Sequence, residues 1–191
     1  TDTLPAIKNT LSGHAEQAWF YFKNNDTAMA LQEVAAWIAE DSMQAEAYYL
    51  KSMIYKSSIQ IREALAAIDK AIELQPEKGL YFQERSELFA KQKETQLAIS
   101  DLKTAVEKGS VKDEIYIKIA LLYESDDDYD HAIEYYDKEI EFNPNSGISH
   151  YFKAMLYLKM NQKTQACESL SKAKALNFKL AVEEMKKNCG K

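Results

Sequence analysis

Set one beneath the other, "AEAYYLKSMIYKSSIQIREALAAIDKAIELQP" from Ala45 and "DEIYIKIALLYESDDDYDHAIEYYDKEIEFNP" from Asp113 match apolar to apolar and polar to polar without a gap. The same frame continues in both directions with a period of 34 residues, dividing the chain into units 11–44, 45–78, 79–112, 113–146 and 147–180. Within a unit the eighth place is small (Ala18, Ser52, Ser86, Ala120, Ala154) and the twentieth is always Ala (Ala30, Ala64, Ala98, Ala132, Ala166). The tenth is apolar (Phe20, Ile54, Leu88, Leu122, Leu156) and the eleventh aromatic (Tyr21, Tyr55, Phe89, Tyr123, Tyr157). Val34, Ile68, Leu102, Tyr136 and Leu170 hold the twenty-fourth place, on the same helix face as the repeated Ala. Small residues let two helices approach, and large ones fill the space beside them. Each unit is therefore expected to be helix, turn, helix, with Pro76 and Pro144 closing the second and fourth.

Composition agrees with an all-α chain. Five Gly and three Pro leave few breakers, and 46% hydrophobic residues suffice for one continuous architecture. The net charge of −6, with Lys and Arg scattered among acids, offers no phosphate-tracking surface, so nucleic acid is excluded as the expected partner. The most apolar passage, "IYIKIALLY" from Ile115, is interrupted by Lys118 and is far shorter than the ~20 residues of a membrane-spanning helix.

Tyr48, Ser52, Tyr55, Ala64, Ile68, Ala71 and Pro76 in the second unit resemble the tetratricopeptide repeat pattern. Tyr116, Ala120, Tyr123, Ala132, Tyr136 and Pro144 in the fourth unit do the same. The resemblance covers residues 11–180 and implies a right-handed α-α superhelix of five repeats. A segment 1–10 precedes it, and a capping helix and tail at 181–191 follow. The departures are a seventh place held by Gln17, Lys51, Arg85, Ile119 and Lys153 where Leu is usual, and a closing Pro replaced by Ser42, Ser110 and Phe178. In addition, Trp37 and Glu139 stand at the usually small twenty-seventh place.

Candidate chemistry is sparse. Asp126, Asp128 and Asp130 alternate like the start of a calcium loop, with Asp137 twelfth, but His131 stands where the loop needs Gly and Asp137 where it needs a bidentate Glu. These acids are expected to form the turn and cap the second helix of the fourth unit. His14 and His150 occupy the same place in the first and fifth units, too far apart to share an ion, and are expected at helix contacts. Without a nucleophile arrangement or a Gly-rich phosphate loop, the chain reads as no enzyme and calls for no metal or cofactor.

Cys167 stands where other units have Leu or Ile, the place of a small buried hydrophobe. Cys189 closes the tail, and the pair is similar to that of exported repeat proteins of the Bacteroidetes. That resemblance implies a disulfide from cap to array in an oxidising compartment, and a periplasmic or otherwise exported protein, with a cytoplasmic one as the alternative.

In this family the first helix of each unit lines the concave side, at the second, fifth, ninth and twelfth places. The expected peptide groove is accordingly Trp19, Phe22, Tyr49, Met53, Ile117, Leu121, Tyr151 and Met155, with Phe152 beside them, and the run is broken by Gln83 and Glu87. No unit has the Lys and Asn pair with which related proteins clamp a C-terminal carboxylate. The expected function is a non-catalytic adaptor or scaffold taking a protein or peptide with hydrophobic anchors. A homodimer that covers the same face, as a structural subunit of an envelope complex, is the competing expectation.

Overall fold

The computed structural model describes residues 13–110 and 115–190. The segment 1–10 lies outside them. Eleven α-helices follow one another among the described residues: α1 (Gly13–Lys23), α2 (Thr27–Glu40), α3 (Ala45–Ser57), α4 (Ile61–Leu74), α5 (Gly79–Lys91), α6 (Thr95–Glu107), α7 (Ile115–Ser125), α8 (Tyr129–Phe142), α9 (Gly147–Lys159), α10 (Lys163–Ala175) and α11 (Lys179–Asn188). Each helix packs on the one before and the one after it, so the chain forms an α-α solenoid with α11 covering its last face.

The small residues of the eighth and twentieth places are all buried, and the twenty-fourth-place residues are buried among them. Ala18, Ala30 and Val34 share one core cluster with Leu50 and Ile54 of the next unit. Ala120, Ala132 and Tyr136 share another with Ile99, Leu102 and Leu156. The core is thus a chain of clusters, each spanning neighbouring units.

One turn is used five times between the paired helices. Asn25, Ile59, Lys93, Asp127 and Asn161 adopt positive φ, between 58° and 63°, at the same place of each unit. The following amide returns to the aromatic residue at the eleventh place: Asp26 N–H donates to the Tyr21 carbonyl at 2.9 Å, Gln60 to Tyr55 at 2.9 Å and Gln162 to Tyr157 at 2.8 Å. This left-handed stop satisfies the carbonyls at the helix end. In the fourth unit the acids serve this turn. Asp128 caps α8 by accepting from the His131 amide at 3.3 Å and the His131 ring at 2.8 Å, while Asp127 accepts from the Tyr129 hydroxyl at 2.6 Å.

The missing prolines have a physical counterpart. At Asp41, Gln75 and Asn143 the backbone leaves the second helix extended, whereas Gly109 and Asn177 turn with φ of 76° and 61°. The latter turn folds Ser110 and Phe178 back onto the start of their own unit's first helix, where Gly79 and Gly147 leave room. A Cβ on Gly79 would sit 2.6 Å from Ser110 Cβ and 2.8 Å from the Ala105 carbonyl oxygen.

At two of the polar seventh places the side chain reaches an acid of the preceding unit. Arg85 donates to both oxygens of the buried Asp101 at 2.8 Å and reaches Asp69 of the preceding unit at 2.8 Å, while Lys153 pairs with Asp137 in the corresponding way. The expectation that the tenth place is always core fails at Phe20, which is 62% exposed while Ile54, Leu88 and Leu156 are buried. That place packs toward the preceding unit, and among the described residues none precedes α1.

Two outcomes follow for stability. Ile59 is a β-branched residue held at φ 60° and 81% exposed, so Ile59→Asn, which installs the residue that serves at this place in two other units, is expected to raise stability by about 1 kcal/mol in urea unfolding. Arg85→Leu strands the Asp101 carboxylate and is expected to lower stability by about 3 kcal/mol in the same assay, with Asp101→Leu added to it recovering most of the loss.

Candidate functional site

Because α1, α3, α5, α7 and α9 each present one stripe away from their partner helices, the ninth and twelfth places form a continuous strip across the solenoid. At one end Trp19, Phe22, Tyr49 and Met53 are half-buried, their outer surfaces open. Trp19 and Phe22 pack edge to face, with centroids 6.1 Å apart, on the cluster that contains Val34 and Trp37. Tyr49 lies against Tyr81 at 5.2 Å. Toward the other end Leu121 is 44% exposed and Met155 half-buried.

Three expected groove residues also serve the packing, for reasons the geometry supplies. Ile117 is only 4% exposed and belongs to a core cluster that runs from the third unit to Leu156 of the fifth, so its side chain is closed to a partner. Phe152 stacks on the buried Tyr136 at 5.9 Å and fills the joint between units four and five. Tyr151 packs on Phe178 at 5.1 Å, under the folded-back junction before the cap, and keeps only part of its ring open.

Between the two apolar ends lies a charged bridge. Lys56 of α3 meets Glu84 at 2.7 Å and Glu87 at 3.0 Å, both on α5, and Glu87 meets Lys118 of α7 at 3.3 Å. Three successive units are thereby tied together along their first helices. The break in the apolar run was visible in sequence as Glu87; its partners, 31 residues away on either side, were not singled out. Burial opposes the charge on Glu87, but the two lysines prevail and hold its carboxyl below the ordinary range. Farther on, Lys159 meets Glu124 at 2.6 Å.

Concavities also occur on another stripe. A cleft of about 310 Å³ is lined by Lys103, Tyr116, Tyr135 and Lys138, with the Lys138 ammonium 4.1 Å from the centre of the Tyr135 ring. A cleft of about 240 Å³ repeats the arrangement in the second unit around Tyr48, Lys51 and Lys70. Both are open and shallow, and their lysines are drawn to acids or rings of the protein itself.

The histidines sit in opposite settings at the same place of their units. His14 meets Glu33 at 2.6 Å and Glu40 at 3.6 Å, and the bond to Glu33 raises its pKa. His150 faces Lys172 and Lys153, and burial with these cations lowers its pKa. His14 is thus an ion-pair residue rather than a packing one. Among the described residues, no three His, Cys, Asp or Glu side chains are grouped to hold a metal ion.

Cys167 of α10 and Cys189 after α11 are joined, their Cα atoms 5.6 Å apart. The bond fixes a helix that otherwise holds the array through Ala181 and the neighbouring Met185 and Phe178.

The chain belongs to the tetratricopeptide repeat family, whose repeat model matches residues 45–78, 113–146 and 148–180, more than half of its length. Among solved structures it is similar to MamA, with 20% identity, 90% of this chain and 98% of that one covered, and a TM-score of 0.76. It is also similar to YrrB, described as a TPR protein with an unusual peptide-binding site, with 23% identity, coverage of 91% and 90%, and a TM-score of 0.73. The C-terminal part of a TPR repeat-containing protein from Cytophaga hutchinsonii follows, with 21% identity, coverage of 86% and 64%, and a TM-score of 0.73. At such identities the likeness is one of fold. No curated protein matches the chain significantly.

Closing the 22-residue separation between Cys167 and Cys189 contributes about 3 kcal/mol by chain entropy. Mass spectrometry after alkylation is expected to find no free thiol before reduction and two after it, with Tm falling on reduction. Two free thiols in protein purified without reductant would overturn the pairing.

Proposed function

We propose that this protein is a non-catalytic binding module, an adaptor or scaffold that holds a protein or peptide with hydrophobic anchors along the inner strip of its solenoid. The observation that carries the reading is the set Trp19, Phe22, Met53, Leu121 and Met155, which leaves apolar surface open on the first helices, Trp19 and Phe22 with one side on the core and the other open. Met and aromatic side chains suit an interface that must adapt to a partner's shape. Membership in the tetratricopeptide family supports a protein-interaction role, and the peptide-binding site named for YrrB is consistent with it. No helix among the described residues is long and apolar enough to cross a membrane.

The Cys167–Cys189 bond supports a place in an oxidising compartment, and we place the protein among exported, periplasmic ones on that ground. Its partner is then an envelope protein.

The test compares the wild type with a Met53→Glu/Leu121→Glu double variant of unchanged helicity, both cross-linked in envelope fractions and measured alone by light scattering. A cross-linked partner lost in the variant is the expected result. A dimer in light scattering that the variant dissolves would give the strip to self-association instead, and unchanged cross-links with a monomer would move binding to another surface.

A further inference from the structure

We infer that the Cys167–Cys189 bond is a redox latch on the end of the array: a dithiol reductant frees α11 alone and uncovers the last apolar face, while α1 to α10 stay folded. Closing the bond shuts that face again.

Little besides sulfur holds the cap. Of the ten residues of α11 only Ala181 is buried, whereas α9, the first helix of the unit before it, buries Gly147, Ser149, Ala154 and Leu156. The side that α11 lays on Ala154, Leu170 and Ala173 consists of Ala181, Met185 and Cys189, spaced four apart on one helix face. At the joint between the first two units the same task falls to Leu50 and Ile54, both fully buried. Lys179, Leu180, Glu183, Lys186 and Lys187 are exposed. The apolar footing of α11 is thus the weakest of any joint for which these residues can be compared.

Polar ties do not make up the difference. Among the described residues the side-chain bonds of α11 stay within it: Lys187 meets Glu184 at 2.8 Å, and the Asn188 amide donates to Glu184 at 3.0 and 3.1 Å. Earlier joints have pairs that cross them, Arg85 with Asp69 and Lys153 with Asp137. The backbone bond at the start of the cap, from Phe178 N–H to the Ala173 carbonyl at 3.0 Å, closes the end of α10 and does not need α11.

A helix of this length is below the ~12–15 residues at which isolated helices become even marginal in water. Cut from Cys167, α11 loses its place and its helicity together. The pairing of α9 with α10 rests instead on the buried Ala154, Ala166 and Leu170, and in a linear array that contribution is local.

Both cysteines are half-buried, so a reagent can reach the bond. One thiolate of the dithiol attacks a sulfur of the pair and the other cysteine leaves as a thiolate. The second thiol of the reagent then displaces the first cysteine, so two electrons and two protons pass to the protein and the reagent becomes a disulfide. A reducing compartment therefore opens the end of the array, and an oxidising one shuts it.

The experiment is amide hydrogen exchange on the full chain before and after dithiothreitol, read by mass spectrometry, with fluorescence of an apolar dye as the second reading. Amides of α11 are expected to exchange on the order of a hundredfold faster after reduction, those of α9 and α10 to keep their protection, and dye fluorescence to rise. Reoxidation is expected to restore both readings, and Cys167→Ser/Cys189→Ser to match the reduced protein and ignore dithiothreitol. Continued protection of α11 after reduction would show that its other contacts suffice, and the latch is refuted. Loss of protection in α9 and α10 as well would make the bond a staple of the whole last unit, which refutes it equally. Release of α11 with no added dye fluorescence overturns the uncovering of the face.

Discussion

Contact between the small residues of the eighth and twentieth places sets the distance between paired helices, and with it almost everything else in this molecule. A larger side chain at Ala30 or Ala64 would push the second helix outward and separate the clusters that tie each unit to the next. Because every such pair is buried, the spacing repeats along the array. A row of first helices then follows along the array, and its outward stripe becomes a surface shared by several units. The turn at the fifteenth place serves the same end by stopping the first helix at one point in each unit, whether the residue there is Asn, Asp, Lys or the ill-suited Ile59.

The fold was legible because the residues that carry it have one job each. Ala30, Ala64, Ala98, Ala132 and Ala166 do nothing but allow approach, and the 34-residue period displays them directly. The proposed strip was harder to read because its residues also serve the packing. Tyr151 and Phe152 stand next to each other, yet one packs beneath the cap junction and the other stacks on Tyr136. Position alone does not separate a ring that covers a neighbour from one that faces a partner. Ile117 failed as a groove residue since its place, the fifth, turns toward the joint between units once the helices are wound around each other. Pairings such as Lys56 with Glu87 cross a unit boundary, which the alignment of units to one another does not display.

Departures from the family pattern turn out to be linked to local compensations. Where closing Pro is absent in the third and fifth units, a left-handed residue at 109 or 177 folds the junction back, and Gly79 or Gly147 removes the Cβ that would meet it. Where Leu is absent from the seventh place, Arg85 stacks near Phe82 and Phe89 and places its guanidinium between Asp101 and Asp69. Such an arrangement sets the buried Asp101 against a charge that also reaches the exposed Asp69 across the unit boundary, so stability is sensitive to loss of Arg85 alone more than to replacement of Arg85 and Asp101 together.

The two ends of the array are unequal, and the inequality bears on how the strip can work. Beyond α9 and α10 the last apolar face is covered by α11 through Ala181 and held by the Cys167–Cys189 bond, while Phe20 of α1 is exposed at a place that is buried in the second, third and fifth units. In a linear array, stability is a sum over units and their joints, so a staple at one end does not reach the other. The staple therefore supports the joint between α10 and α11 and leaves the units around Trp19 and Phe22 to their own contacts. The central ion bridge, joining α3, α5 and α7 across two joints, adds a polar tie between units whose spacing the buried small residues already set.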